Sequence, residues 1–127
     1  MRELFFKDSK NDNFICYDEN QIVGYISLNP KSKRRNRSAY IISLVVLPSH
    51  RRQGIAKNLI CYAARYYKEK EEPLLMSLHV NKDNYPAINL YKKVGFEIKE
   101  PICEADIDDE QYIMDAEIKK LVKTKTI

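Results

Sequence analysis

Tyr40-Ile41-Ile42-Ser43-Leu44-Val45-Val46-Leu47 leads through Pro48-Ser49-His50 into Arg51-Arg52-Gln53-Gly54-Ile55-Ala56. The first run is continuously apolar, as in a strand buried on both faces, and Pro48 and Ser49 end it. After Gly54 the period changes. Ile55, Leu59, Ile60, Ala63, Ala64 and Tyr67 fall on one face of a 3.6-residue wheel, which predicts a helix over about 53–70. The first N–H groups of a helix have no intrahelical acceptor and carry the positive end of its dipole. With Arg51, Arg52 and Lys57 beside them, the turn reads either as a cradle for a phosphorylated ligand or as an ordinary strand–turn–helix with solvated arginines. The turn alone does not separate the two.

Beyond the helix, Leu74-Leu75-Met76-Ser77-Leu78-His79-Val80 is a second apolar run, so strand, helix and strand form a βαβ unit with parallel strands. Asn84 or Tyr85 caps a further helix with Pro86 in its first turn and Ala87, Leu90, Tyr91 and Val94 on its inner face. Gly95 closes that helix as a left-handed cap, and Phe96-Glu97-Ile98 starts another strand. Residues 99–110 read as an acidic loop. Gln111 to Ile118 reads as a last strand with Tyr112, Met114, Ala116 and Ile118 on one side, and the basic tail 119–127 as frayed. Upstream, Phe14–Tyr17 and Ile22–Leu28 form a hairpin around Asp18-Glu19-Asn20-Gln21. Residues 1–13 read as a short first element followed by a loop. The basic stretch 29–38 reads as a solvated hairpin tip. Nucleic-acid binding is not expected there, because no aromatic residue is interleaved to stack on bases.

The length suits one domain, 1–127, with 44% hydrophobic and 31% charged residues and a net charge of +4. That balance suits an anionic ligand without requiring nucleic acid. No run approaches the roughly 18 apolar residues of a membrane span. Met1–Asp8 lacks the pattern of a secretory leader. Cys16, Cys61 and Cys103 are odd in number and widely spaced, which argues for a reducing, cytoplasmic setting over a disulfide framework or zinc site. With glycine only at 24, 54 and 95, neither common nucleotide-binding signature can be written. No paired His or Cys ligands are present, so no metal is expected.

Two motifs together identify a family. Arg51-Arg52-Gln53-Gly54-Ile55-Ala56 has the form [Q/R]-x-x-G-x-[G/A]. Asn84-Tyr85-Pro86-Ala87-Ile88-Asn89-Leu90-Tyr91-Lys92-Lys93-Val94-Gly95-Phe96 has the form N-x-x-A-x-x-L-Y-x-x-x-G-F. At this separation the pair resembles the GNAT acetyltransferases, over residues 14 to about 98. The resemblance implies an α+β fold: a mixed, mostly antiparallel twisted sheet with a splayed central parallel strand pair, flanked by helices. It implies a bulged strand before the turn and a V-shaped gap beside it. Acetyl-CoA would lie in that gap, with main-chain groups of Leu44, Val45 and Val46 along its pantetheine arm. Arg51, Arg52, Gln53, Gly54, Ile55, Ala56 and Lys57 would hold its pyrophosphate. Asn84, Tyr91 and Lys93 complete the implied cofactor set. A Cβ at Gly54 would block close approach of the phosphates. Tyr91 resembles the tyrosine that protonates the departing thiolate; on spacing alone it would be a core aromatic.

Within the family, Ala39–Leu44, Arg51-Arg52-x-Gly54-Ile55, Leu78-His79-Val80 and Phe96-Glu97-Ile98 resemble the NatE-type catalytic subunits, which acetylate protein N-terminal α-amines. There a tyrosine and a histidine hold an ordered water and remove the amine proton. Tyr40 and His79 fall on those positions, His79 otherwise being a satisfied strand histidine. An α-amine has a pKa near 8, so a substantial fraction is neutral at pH 7, against about 0.1% of a lysine. A neutral histidine acting through water suffices for the first.

Departures from the pattern lie on the acceptor side. Only about 13 residues precede the first clear strand, too few for the usual strand and two helices, so those helices are expected to be shortened or absent. The usual tyrosine pair between the last two strands is replaced by Cys103 and carboxylates. These would attract a cationic acceptor or are simply solvated. The sequence therefore implies an acetyl-CoA-dependent N-acetyltransferase acting on a protein N-terminus. The alternatives are a lysine or polyamine-like small amine as acceptor, or a CoA-binding module without catalysis that works through a partner. Edge strands and the reduced N-terminal layer suggest a homodimer or an auxiliary subunit.

Overall fold

The computed structural model describes residues 2–31, 38–70, 72–99 and 110–122. The elements in chain order are β1 (Arg2–Asp8), β2 (Asn11–Asp18), β3 (Gln21–Asn29), β4 (Ser38–Val46), a 3₁₀ turn at Pro48–His50, α1 (Ile55–Lys70), β5 (Leu75–Asn81), α2 (Tyr85–Val94), β6 (Glu97–Lys99), β7 (Gln111–Glu117) and α3 (Ile118–Val122). The strands make one seven-stranded sheet in the order β1-β2-β3-β4-β5-β7-β6. All neighbours are antiparallel except β4 and β5, the parallel pair that the βαβ pattern implies.

Residues two apart on a strand share a face. Phe14 and Cys16 of β2, Gly24, Ile26 and Leu28 of β3, and Met76, Leu78 and Val80 of β5 therefore pack one way. The buried stripe of α1, Ile55, Leu59, Ile60, Ala63, Ala64 and Tyr67, packs against this sheet in one core. Each of the Phe, Ile, Leu, Val and Met side chains among these contributes roughly 1.5–3 kcal/mol relative to exposure. Gly24 sets how closely α1 can sit. A Cβ there would lie 3.0 Å from Ile55 Cγ2, 3.1 Å from the Val45 carbonyl and 3.3 Å from Leu59 Cδ1. On α2, Asn84 Oδ1 accepts from the Ala87 N–H at 3.3 Å, and Gly95 ends the helix at φ 128 with its N–H on the Tyr91 carbonyl. The expected inner face of α2 omits its most deeply set contributor besides Val94, which is Ile88.

Three segments differ from expectation. Residues 1–13 are not a short element and a loop. β1 is a full strand, the turn is only Ser9-Lys10 with Ser9 at φ 40, and β2 already begins at Asn11. Asp12 and Asn13 look like loop residues but are buried. Asp12 accepts a 2.8 Å hydrogen bond from Tyr67 Oη, and Asn13 Nδ2 donates to Asp8 Oδ2 at 3.0 Å. β7 buries Ile113, Met114, Asp115 and Ala116 in succession, so both of its faces are covered, not one. The tail does not fray at Lys119. Ile118 and Leu121 are buried on α3, which packs on α1. The acidic stretch 100–109 and the basic stretch 32–37 lie outside the described residues. No helix among the described residues is long and apolar enough to cross a membrane.

Candidate active site

β4 and β5 are joined at one end only. Ser38, Ala39 and Tyr40 pair with Leu75, Met76 and Ser77. Beyond that, Ile41–Val46 and Leu78–Asn81 continue without pairing to each other among the described residues. The cause lies on the other side of β4. The register with β3 passes from Ser27↔Ser43 to Leu28↔Ile41, which leaves Ile42 as an extra residue, half-exposed, in a bulge. A bulge bends its strand and raises the local twist. It also changes phase: Ala39 and Ile41 face the core below it, Leu44 and Val46 above it. The result is the V-shaped gap that the family resemblance implies.

The gap is lined by main chain. Leu47 N–H donates to the Val23 carbonyl at 2.8 Å, so Leu47, and by alternation Val45, turn their peptide groups toward β3. Leu44 and Val46 turn theirs toward the gap. Of the three strand residues predicted to meet the cofactor, only these two offer main-chain groups on that side. Arg51 does not simply add charge there: its Nε–H donates to the Val46 carbonyl at 3.2 Å, tying the turn to the end of β4. His50, which the sequence reading passed over, ties the same turn to the β2–β3 hairpin, with Nε2 3.0 Å from Asp18 Oδ2 and Nδ1 2.8 Å from Ser49 Oγ. Its only sequence signal was its place beside Pro48 at the strand end.

At the mouth of the gap Arg52 takes φ 64 and Gly54 φ 77. Left-handed residues in a turn bring successive N–H groups onto one concave side. The first α1 bond is Asn58 N–H to the Gly54 carbonyl, 2.9 Å, so the N–H groups of Ile55, Ala56 and Lys57 lie upstream of the helical ladder. Arg51, Arg52 and Gln53 are exposed, while Ala56 and Lys57 are half-buried. These groups match a ligand bearing a pyrophosphate, and the gap-facing amides of Leu44 and Val46 match one bearing amides of its own.

At the apex of the fork, Tyr40 Oη and His79 Nδ1 are 2.8 Å apart, in direct hydrogen-bond contact, with ring centroids 5.4 Å apart. Both lie on the face turned away from α1. Tyr40 is the last paired residue of β4, and His79 is two residues past its partner Ser77. Beneath them Ser77 Oγ donates to Ser38 Oγ at 2.7 Å, both buried, and buried Asp115 stands opposite Ser77 on β7. The Ser38–Ser77 pair locks the closed end of the fork. Only their positions at the foot of two apolar runs could have pointed to it.

Tyr91 is half-buried on α2 against Phe96, ring centroids 5.7 Å apart, and burial pushes its phenol above the usual range. It is therefore a protonated donor at neutral pH. Asn84 is engaged at the α2 start, as one of its two expected roles requires. Lys93 is exposed on the last turn of α2. Cys16 and Cys61 are buried and in no disulfide, and burial pushes both thiols up, so neither is poised as a nucleophile.

Residues 1–96 match the model of the acetyltransferase (GNAT) family. The chain is 33% identical over 89 residues to the N-terminal acetyltransferase A complex catalytic subunit NAA10 of Arabidopsis thaliana, covering 68% of this chain and 46% of that protein. It is 33% identical over 98 residues to a streptothricin acetyltransferase of Escherichia coli, covering 75% and 54%. It thus spans about half the length of these curated relatives. Among solved structures, PaiA N-acetyltransferase from Thermoplasma acidophilum, in complex with coenzyme A, superposes with a TM-score of 0.72 at 22% identity, over 85% of this chain and 61% of that one.

Proposed function

Because this chain belongs to the GNAT acetyltransferase family, we propose that the fork between β4 and β5 binds acetyl-CoA and that the protein acetylates a primary amine, with a protein N-terminal α-amine as the preferred acceptor. The observation that carries this reading is the Tyr40–His79 contact at the apex of a gap lined by main-chain groups.

Leu44 and Val46 hold the pantetheine arm through their gap-facing peptide groups. The N–H groups from Gln53 to Lys57 hold the pyrophosphate. Bound acetyl-CoA supplies the acetyl group as a thioester to the attacking amine. Tyr40 Oη takes the amine proton as its own proton passes to Nδ1 of neutral His79, a relay that the 2.8 Å contact allows without displacing either ring. Tyr91, kept protonated by burial, delivers a proton to the sulfur that leaves. Since His79 must be neutral to accept, the rate falls on the acid side as it protonates.

The α-amine is preferred because about a tenth of it or more is already unprotonated at pH 7, against less than about 0.1% of a lysine, so one weak base suffices. The 33% identity to NAA10 supports the same choice. A small-amine acceptor is the second reading. It is favoured by the equal identity to streptothricin acetyltransferase and by the Ser9-Lys10 turn, which joins β1 directly to β2 with no helix between them to wall the acceptor side. We place the protein in the cytoplasm, given that its buried Cys16 and Cys61 form no disulfide, and assign the remaining acceptor wall to an auxiliary subunit. Thiol release measured with Met-starting peptides, internal-lysine peptides and spermidine separates these readings. Turnover fastest on the N-terminal peptides supports the first, and activity confined to spermidine transfers the assignment to small amines. Acetyl-CoA binding with no turnover on any amine leaves a non-catalytic CoA-binding module.

A further inference from the structure

The exposed edge strand β1 reads Arg2-Glu3-Leu4-Phe5-Phe6-Lys7-Asp8, and positions symmetric about Phe5 carry charges of opposite sign. Laid antiparallel against a second copy of itself with a two-fold axis at Phe5, Arg2 stands opposite Asp8, Glu3 opposite Lys7 and Leu4 opposite Phe6. We propose that β1 is a self-complementary docking edge, through which two copies of this chain join their sheets into one continuous sheet. This goes beyond the reading of the cleft and stands without it.

Three independent features agree. First, among the described residues β1 pairs only with β2, so its outer edge is unpaired along its length. The other edge strand, β6, spans only Glu97–Lys99. Long edge strands are usually blunted by prolines, bulges or charged side chains, and the four charges of β1 deter most partners but complement a second copy of the same strand. β1 has a regular register with β2 from Arg2↔Tyr17 to Asp8↔Asn11, with no proline and no bulge.

Second, the hydrogen-bonding phase fits the charge register. The Ser9-Lys10 turn makes Asp8↔Asn11 the closing pair of the hairpin, so Asp8, Phe6, Leu4 and Arg2 turn their peptide groups toward β2. The Phe6 carbonyl does face that way, accepting from Asn13 Nδ2 at 3.4 Å. Lys7, Phe5 and Glu3 then present theirs outward. With the axis at Phe5, the pairs Phe5/Phe5, Glu3/Lys7 and Lys7/Glu3 become hydrogen-bonded pairs. A slip by one residue in either direction puts unlike peptide phases and like charges opposite one another.

Third, the side chains have room and reason to meet. Leu4 is 46% and Phe6 43% exposed, on the face turned away from α1, where they would cover one another across the axis. Lys7 holds Asp12 at 3.7 Å, yet its side chain stays 61% exposed and can reach a second carboxylate. The two α1 helices would not collide. Each is centred on β3, and the two β3 strands would lie five strand spacings, about 24 Å, apart, against a helix diameter of about 10 Å.

Sedimentation equilibrium of the full chain over a concentration series tests the proposal. The wild type should approach twice the mass of one chain. Glu3→Lys and Lys7→Glu, each placing like charges face to face at both ends of the pairing, should shift the midpoint at least tenfold toward monomer. The double variant Glu3→Lys/Lys7→Glu restores opposite charges and should recover the dimer. Circular dichroism confirms that each variant is folded. Should either single reversal fail to fold, Arg2→Asp, Asp8→Arg and their double variant give the same readout on the other face. A wild type that stays monomeric at millimolar concentration overturns the proposal. So do single reversals that dimerise as well as the wild type.

Discussion

The two ends of the β4–β5 pair behave differently, though they belong to the same strands. At the closed end Ser38, Ala39 and Tyr40 are laddered to Leu75, Met76 and Ser77, and the Ser77–Ser38 hydroxyl contact sits buried between them. At the open end Ile41 and Ser43–Val46 are just as apolar, yet among the described residues they pair with β3 alone. Apolar content does not distinguish the ends. The bulge at Ile42 does, by turning the peptide groups of Leu44 and Val46 toward a gap that no strand fills. One end is laddered and the other is the proposed ligand site, with Tyr40 and His79 at the boundary.

The largest effect is expected at that boundary. His79→Ala removes the proton acceptor and should lower kcat by about 10²–10⁴-fold, with acetyl-CoA affinity little changed. A fall in affinity with kcat preserved would make His79 part of the closed end instead. Tyr40→Phe should follow the same pattern with a smaller loss. At the closed end, Ser77→Ala strands the Ser38 hydroxyl and should cost about 1–3 kcal/mol by chemical denaturation, whereas Ser38→Ala/Ser77→Ala should cost less than the single change. At the open end, Gly54→Ala must hold a Cβ at φ 77. It should cost about 1–2 kcal/mol, and acetyl-CoA titration calorimetry should show weaker binding if the turn relaxes. Asn84→Ala, which removes the α2 cap, should cost about 1 kcal/mol in thermal melts.

Near neutral pH the buried phenols are silent. Burial raises the pKa of Tyr91, and burial with the Asp12 hydrogen bond raises that of Tyr67. The folded state thus holds these protons more tightly than the unfolded state, whose tyrosines release theirs near pH 10. Stability should be level through neutrality and fall as pH rises above about 10, a limb that Tyr67→Phe should flatten. Tyr91 should contribute no alkaline limb to kcat below that range.

Much of the open end was legible in the sequence. The change of period at Gly54 located the helix start, the second motif located Asn84 and Tyr91, and the family resemblance brought Tyr40 and His79 together. What was not legible depends on pairing partners. The family resemblance implied a bulge in β4 but not its place: nothing marks Ile42, because a bulge is a mismatch with β3 and not a property of its own residue. Asp8–Asn13 reads as loop by composition, yet Asp12 is paid for by Tyr67 far along the chain, and Asn13 by Asp8 across the turn. Arg51 looked like charge for an anion and His50 drew no role, but the side chains of both brace the turn. The N–H groups that follow are the ones proposed to meet the pyrophosphate.

Amide chemical shifts recorded while acetyl-CoA is added test the central claim most directly. Leu44, Val46 and Gln53–Lys57 should shift strongly, Tyr40 and His79 should respond as the thioester reaches the apex, and Ala39, Met76 and β1 should stay still. Shifts centred on the closed end of β4 and β5, or no response from the N–H groups at the start of α1, would contradict it.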